Sequence, residues 1–380
     1  MRFIFLCLAL LFSMVLSAHS AEPLKIGVSL GLTGKYSDFS TMAFNGYKLW
    51  QADVNGRGGV LGRQVQMIVY DDKSTPELAG MLYKRLILED KVDIVIGPYS
   101  SEITAAVVPV TETYGYPLLA PGAAADTLWQ QGYKSLFGIY VPSSKYTIGF
   151  LEALVNKGFN TVAIINADDL FSKGIMDGTK EWAKRFGLNV VYTEEFKRGT
   201  RNLEQIIQKV QMSRAQALIV CGYLEESIGA RRALDTVGWS PKAYYATVGP
   251  TLEKFHDVLR EDAEGVFSSS QWEPTSFFPG SKEFAEKFVK TYRMTPSYHA
   301  AAAYAAGQIT EAAILKAKSF DREKLRDTLY SLDTISIIGR FGVDRTGKQV
   351  RHFTSTIQWQ KGRKEIIAPP ELMTATPIWK

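Results

Sequence analysis

The sequence predicts an α/β protein built from parallel sheets covered by helices on both faces. Short apolar runs alternate with amphipathic stretches along most of the chain. The alternation also falls into two blocks, roughly residues 24 to 138 and 143 to 265. With 380 residues, the chain is long enough to divide into two domains.

The first residues stand apart from this rhythm. Arg2 is the only charge before Glu22, Phe3 to Leu16 is almost continuously apolar, and small residues follow around Ala18 and Ser20. A basic start, a short apolar core and a small-residue cleavage point describe a secretory signal peptide over residues 1–21. The apolar run is too short for a membrane anchor, and no later stretch is long and apolar enough to span a bilayer. An exported protein released into the periplasm is expected.

In the first block "LKIGVSL", "QVQMIVYDD" and "VDIVIGP" read as buried strands. Leu78, Leu82 and Leu86 mark one face of a helix, begun by the "STPE" signal at Ser74 to Glu77. Near its end, "FGIYVPSSKY" closes a strand at Pro142 and starts a helix. In the second block "TVAIINAD", "QALIVCG" and "KAYYATVG" are the strands, and Leu203, Ile206, Ile207 and Val210 mark a helical face. From about residue 278 helices dominate, including the alanine-rich "SYHAAAAYAAGQITEAAILKAK", expected to pack closely on a sheet. After the turn-bearing "RFGVDRTGKQV", "STIQWQ" reads as the final strand.

Composition narrows the chemistry. Lys and Arg number 44 against 39 Asp and Glu, a net charge of +5 that is scattered and forms no basic run for nucleic acid. Cys7 lies in the signal segment, so Cys221 is left alone, in the apolar "ALIVCGY", where it reads as a buried inert thiol. No H-x-x-H or C-x-x-C pair occurs. The pairs Asp71-Asp72 and Asp168-Asp169 at strand ends read as helix caps or solvent-facing groups rather than metal ligands. Neither a metal nor another cofactor is expected.

One loop invites a catalytic reading. Gly27-Val28-Ser29-Leu30-Gly31 matches the G-x-S-x-G of a hydrolase elbow, but Ser29 sits at the first strand, and His256, His299 and His352 lack a partnering motif. A phosphate loop ending at Gly34-Lys35 would need glycine at position 29 and serine or threonine at 36, where Ser29 and Tyr36 stand. "NGRGGVLGR" follows a helix and precedes a strand, the reverse of a dinucleotide fingerprint, and reads as a helix stop and turn.

The stretch from "IGVSLGLTGKYSDFS" through "NGRGGVLGR" to "YDDKSTPELA", then "VDIVIGPYSSEIT" and "YGYPLLAPGAAADTL", resembles the leucine/isoleucine/valine-binding type of periplasmic binding protein. "REDAEGVF" and "SYHAAAAYAAGQ" extend the likeness over essentially the whole mature chain. The resemblance implies no enzyme but a soluble receptor of an ABC importer, acting as a monomer with permease subunits as its partners. It also implies two Rossmann-like lobes joined by three hinge crossings, near Tyr140, Ser268 to Ser270 and Gly339 to Gly342. Lobe 1 would comprise residues 22–140 and 269–338, and lobe 2 residues 141–268 and 339–380.

In such folds ligands sit beyond the carboxyl ends of the strands. After "VDIVIGP" the chain turns through Tyr99, Ser100 and Ser101 into a helix, whose free N–H groups and hydroxyls suit a carboxylate or simply cap the helix. The resemblance places Ser101 and the Ala123-Ala124 backbone on that carboxylate, with Tyr36 covering it. Branched-chain binders carry a threonine where Ala124 stands, and a tyrosine where Phe171 stands; Tyr223 is retained. Their acid for the ligand ammonium falls at or near Val248. A charged ammonium without a buried partner costs about 3–5 kcal/mol, a penalty of about a hundredfold or more. A standard amino acid is therefore disfavoured unless Glu253, Glu225 or Glu226 substitutes.

A carboxylate without the ammonium fits better. Tyr36, Tyr99, Phe171, Tyr223, Trp272 and Tyr298 are candidates for an aromatic-lined cleft suited to an aromatic or short apolar acid, or in part for ordinary core. An ordinary branched-chain amino-acid receptor, a secreted hydrolase using Ser29 and a sensory module remain as alternatives.

Overall fold

The structure is a computed structural model describing residues 22–380; the expected signal peptide lies outside the described residues. Among the described residues no helix is long and apolar enough to cross a membrane.

The first block forms a parallel sheet of β1 (Leu24–Leu30), β2 (Val65–Asp71), β3 (Ile94–Ile96), β4 (Leu118–Ala120) and β5 (Leu136–Gly138), in the order β2-β1-β3-β4-β5. The second block repeats that order with β6 (Thr161–Ala167), β7 (Asn189–Phe196), β8 (Ala217–Cys221), β9 (Ala243–Ala246) and β10 (Val266–Ser270). A hairpin of β11 (Thr334–Ser336) and β12 (Gly339–Phe341) follows. Then β13 (Ser355–Gln360) and β14 (Arg363–Ala368) join the second sheet antiparallel beside β10. The central strands are buried at nearly every position, which is why they read as continuous apolar runs. Strand β7 lies at the sheet edge with alternating exposure, so no apolar run announces it.

Three expectations shift. "STIQWQ" is not the last strand, because a turn at Lys361 and Gly362 returns the chain as β14. Ser269 and Ser270 belong to the second sheet, paired with Thr356 and Ser355, so the second crossing comes just after Ser270. The third crossing lies beyond Gly339–Gly342. Gly347 accepts a hydrogen bond from Gly138 N (2.8 Å), and the Gln349 amide donates to Ile139 O (3.3 Å), so this segment stays on lobe 1 until about residue 350. Gly347 is required there: its φ is +85°, and a Cβ would come within 1.9 Å of Leu136 O.

The alanine-rich helix Tyr298–Ala317 packs mainly on the helix Ser37–Gly56 rather than only on a sheet. Small residues make the approach possible. A Cβ on Gly46 would stand 2.1 Å from Ala300 O, and one on Gly307 would stand 2.0 Å from the Trp50 indole.

Candidate functional site

The two sheets share the 2-1-3-4-5 order, whose switch point lies between the first and third strands of each lobe. The loops after β1 and β3 bring Tyr36 and Ser100–Ser101 to one side of a cleft, and those after β6 and β8 bring Phe171 and Tyr223 to the other.

The opening loop is held by hydroxyl–carboxylate bonds. Ser29 is fully buried and donates to Asp72 Oδ2 (2.7 Å), while Thr33 donates to Asp71 Oδ2 (2.7 Å). Burial pushes the Asp72 carboxyl up to about 6 despite the Ser29 bond. A serine so enclosed presents no nucleophile to solvent. Asp71 and Asp72 thus brace a loop instead of capping a helix, whereas Asp169 does cap, accepting from Phe171 N (3.0 Å) and Ser172 N (3.2 Å). Ser74 does not form the expected helix-start box either. Its hydroxyl donates to Thr33 O (2.8 Å) and accepts from Tyr36 N (3.0 Å), fixing the tyrosine over the cleft.

The cleft is closed around aromatic rings. Tyr36 of lobe 1 meets Tyr223 of lobe 2 at 5.5 Å between ring centroids and Tyr99 of its own lobe at 5.6 Å. Phe171 lies 5.5 Å from Tyr223, and Tyr146 lies 5.4 Å from Phe171. Between the lobes remains a cavity of about 10 Å³, room for about one water molecule. Tyr99, Ser100, Ser101, Ala124, Phe171, Tyr223, Val248 and Tyr298 all line it, and Ala123 is buried next to them. Trp272 does not line this cavity. Its indole donates to Ser281 Oγ (2.7 Å) and packs edge-on against Phe284, which makes it lobe-1 core beside the hinge.

At the start of the helix Ser101–Thr113 neither serine caps its own helix. Ser101 Oγ accepts from Ala124 N and Ala125 N, each at 3.1 Å, which leaves its O–H to donate elsewhere. Ser100 Oγ is buried without a partner. Behind them His299 faces Tyr99 OH (Nε2, 3.4 Å) and Ser297 Oγ (Nδ1, 3.3 Å). Burial, aided by the charge of Lys364, pulls the His299 pKa down to about 3, so the ring is neutral.

Each of the three second-lobe acids has a cationic partner outside the cavity. Glu253 pairs with Lys364 (3.1 Å), and Glu225 with Arg201 (2.6 Å). Glu226 is fully buried, pairs with Arg198, and accepts from Gly199 N (2.7 Å) and Tyr223 N (2.9 Å). None of the three lines the cavity, which Val248 does.

Four participants were not foreseen. Tyr140 and Tyr146 flank the first crossing and line the cavity, Phe39 stacks on Tyr99 at 5.2 Å, and Arg198 lies 3.8 Å over the Tyr223 ring. The tyrosines of "FGIYVPSSKY" sat in plain view at a strand end; Arg198, in a loop after an edge strand, had no local signal.

Two repeated doubly wound lobes closing on a ring-lined cleft define a solute-binding protein, and the chain belongs to the periplasmic binding protein family, whose model matches residues 23–364. Its fold is that of the type I periplasmic binding proteins, and the curated relatives it matches include Leu/Ile/Val-binding proteins. It is 24% identical to the Leu/Ile/Val-binding protein homolog 7 of Brucella suis, over 93% of each chain. Among solved structures it resembles the branched-chain amino-acid transporter substrate-binding protein LivJ of Streptococcus pneumoniae in complex with isoleucine. That match has TM-score 0.83 and 24% identity, covering 91% of this chain and 100% of that one. It also resembles an R. palustris ABC transporter solute-binding protein in complex with benzoate, with TM-score 0.79 and 17% identity, covering 93% and 99%.

Proposed function

We propose that this chain is a periplasmic receptor that captures a small carboxylate without an α-ammonium, an aromatic or short apolar acid, and delivers it to the permease of an ABC importer. The observation that carries this reading is the pairing of all three acids able to replace the missing ammonium partner: Glu253 with Lys364, Glu225 with Arg201, Glu226 with Arg198. Val248, an apolar side chain, lines the cavity from lobe 2 instead. The remaining buried acid near the rings, Asp169, is taken up by Phe171 N, Ser172 N and the Ser172 hydroxyl and meets Tyr223 OH at 3.4 Å, while the free Ser101 O–H, the unpartnered Ser100 hydroxyl and the helix start suit an acceptor such as a carboxylate. Both ligand types occur among proteins of the same fold, isoleucine in one and benzoate in another. Capture works by hinge closure: contacts from the ligand to both lobes supply the free energy of the closed state.

A thermal-shift screen tests the reading. Benzoate, phenylacetate and short aliphatic acids are expected to raise the melting temperature. Stabilisation by leucine, isoleucine or valine, with none from the acids, overturns it in favour of an ordinary branched-chain amino-acid receptor.

A further inference from the structure

Arg198 occupies a place that ligand capture by the cavity residues does not explain. It sits in the loop after β7, where its backbone N–H donates to Asp168 Oδ1 (2.7 Å). Its guanidinium pairs with Glu226, whose other oxygen holds Tyr223 N at the start of the helix Leu224–Val237. So anchored, the guanidinium lies 3.8 Å from the Tyr223 ring centroid and 5.3 Å from that of Tyr36, which belongs to the opposite lobe. Only 11% of its side chain is exposed, and Nε has no partner. Arg198 does not line the cavity, so its contacts at the cleft are with the two rings.

Tyr36 is restrained as tightly from its own side. Its O–H donates to Glu102 Oε2 (3.0 Å), which also pairs with Lys35 (2.8 Å), and its N–H is tied to Ser74. Each lobe thus presents a fixed ring, and the guanidinium is a cation in contact range of both. Opening the hinge separates Arg198 and Tyr223 from Tyr36, breaking a cation–π contact that is strengthened by the exclusion of water.

We propose that Arg198 is a positioning residue that latches the closed cleft by bridging the Tyr223 and Tyr36 rings, and so sets how readily the lobes separate. A planar guanidinium is needed because it stacks on the rings while still reaching Glu226; an ammonium does one or the other. The consequence for transport rests on the receptor reading above, but the latch itself is measurable without any ligand.

The experiment places spin labels at two exposed methionines replaced by cysteine, Met81 on lobe 1 and Met212 on lobe 2, 61% and 73% exposed. Electron–electron resonance then reports the lobe–lobe distance in the ligand-free protein. Arg198→Leu and Arg198→Lys are each expected to raise the long-distance population severalfold, with Tyr36→Leu doing the same and the Leu/Leu double variant adding little. If Arg198 merely stabilises lobe 2 through Glu226, Arg198→Leu lowers the melting temperature and leaves the distance distribution unchanged, and the proposal falls. Arg198→Lys, which keeps a cation for Glu226, guards against a folding defect: an unaltered distribution in a stably folded Lys variant also overturns it. Failure of the carboxylate screen leaves these distances untouched, so the two readings fail separately.

Discussion

Lys254 and Asp38 meet across the mouth of the cleft, with Nζ 2.8 Å from Oδ1 and 2.9 Å from Oδ2. One begins the helix Glu253–Leu259 of lobe 2, the other the helix Ser37–Gly56 that follows the opening loop of lobe 1. Side chains 55% and 39% exposed make this a weak tie. Such pairs contribute about 0.2–1 kcal/mol and are screened by salt. Lys254→Ala is expected to weaken ligand binding by about fivefold at most, with the difference from the parent vanishing at high ionic strength. Titration calorimetry at low and high salt checks it.

Ser101 sits where the lobe-1 loops converge, accepting from two alanine N–H groups with its own proton left to donate. Ser101→Ala removes that donor and leaves both buried N–H groups unpaired. Binding should weaken by about 1.5–3 kcal/mol, the range for a hydrogen bond to a charged group, with a loss of stability of about 1–3 kcal/mol from the unpaired N–H groups. Unchanged affinity in a folded Ser101→Ala protein would take this residue out of the site.

Gly307 leaves no space for a side chain against Trp50. Gly307→Ala should cost about 1–3 kcal/mol through overpacking, even though alanine is the better helix former. Chemical denaturation measures it; a more stable variant would mean that the two helices part freely.

His299 makes stability sensitive to acid. Its folded pKa, near 3, lies below the ordinary value of 6.5, so the folded state resists protonation and the unfolded chain accepts it. Its contribution is complete above pH 6.5 and is lost progressively as pH falls toward 3, by up to about 4–5 kcal/mol. Asp72, held up at about 6, acts in the opposite sense, gaining stability as pH drops from there toward the ordinary carboxylate range. Comparing the parent with His299→Gln isolates the histidine: the variant should lose less stability between pH 7 and 4. Parallel pH profiles in urea melts would contradict the assignment.

Much of this protein is legible along the chain. Buried parallel strands announce themselves as apolar runs, and helices by their three-to-four-residue spacing, because both signals arise within a few neighbouring residues. The glycines of "NGRGGVLGR" form the expected turn, with Gly58, Gly59 and Gly62 all at positive φ. Strand ends likewise pointed to the loops at Ser100–Ser101 and Val248 and to most of the aromatics that the fold gathers around one cavity.

What the tertiary structure alone decided is which groups face each other across the gap. Trp272 looked like a cleft residue, yet an indole bond to Ser281 turns it into lobe 1. The acids at 225, 226 and 253 looked free until their partners Arg201, Arg198 and Lys364 arrived from loops and strands 24, 28 and 111 positions away. Ser29, tied to Asp72 across 43 residues, became a brace for the opening loop. Local pattern records the period of a strand or helix. Ion pairs and ring contacts between lobes depend on strand order and hinge closure, and no short window of sequence contains either.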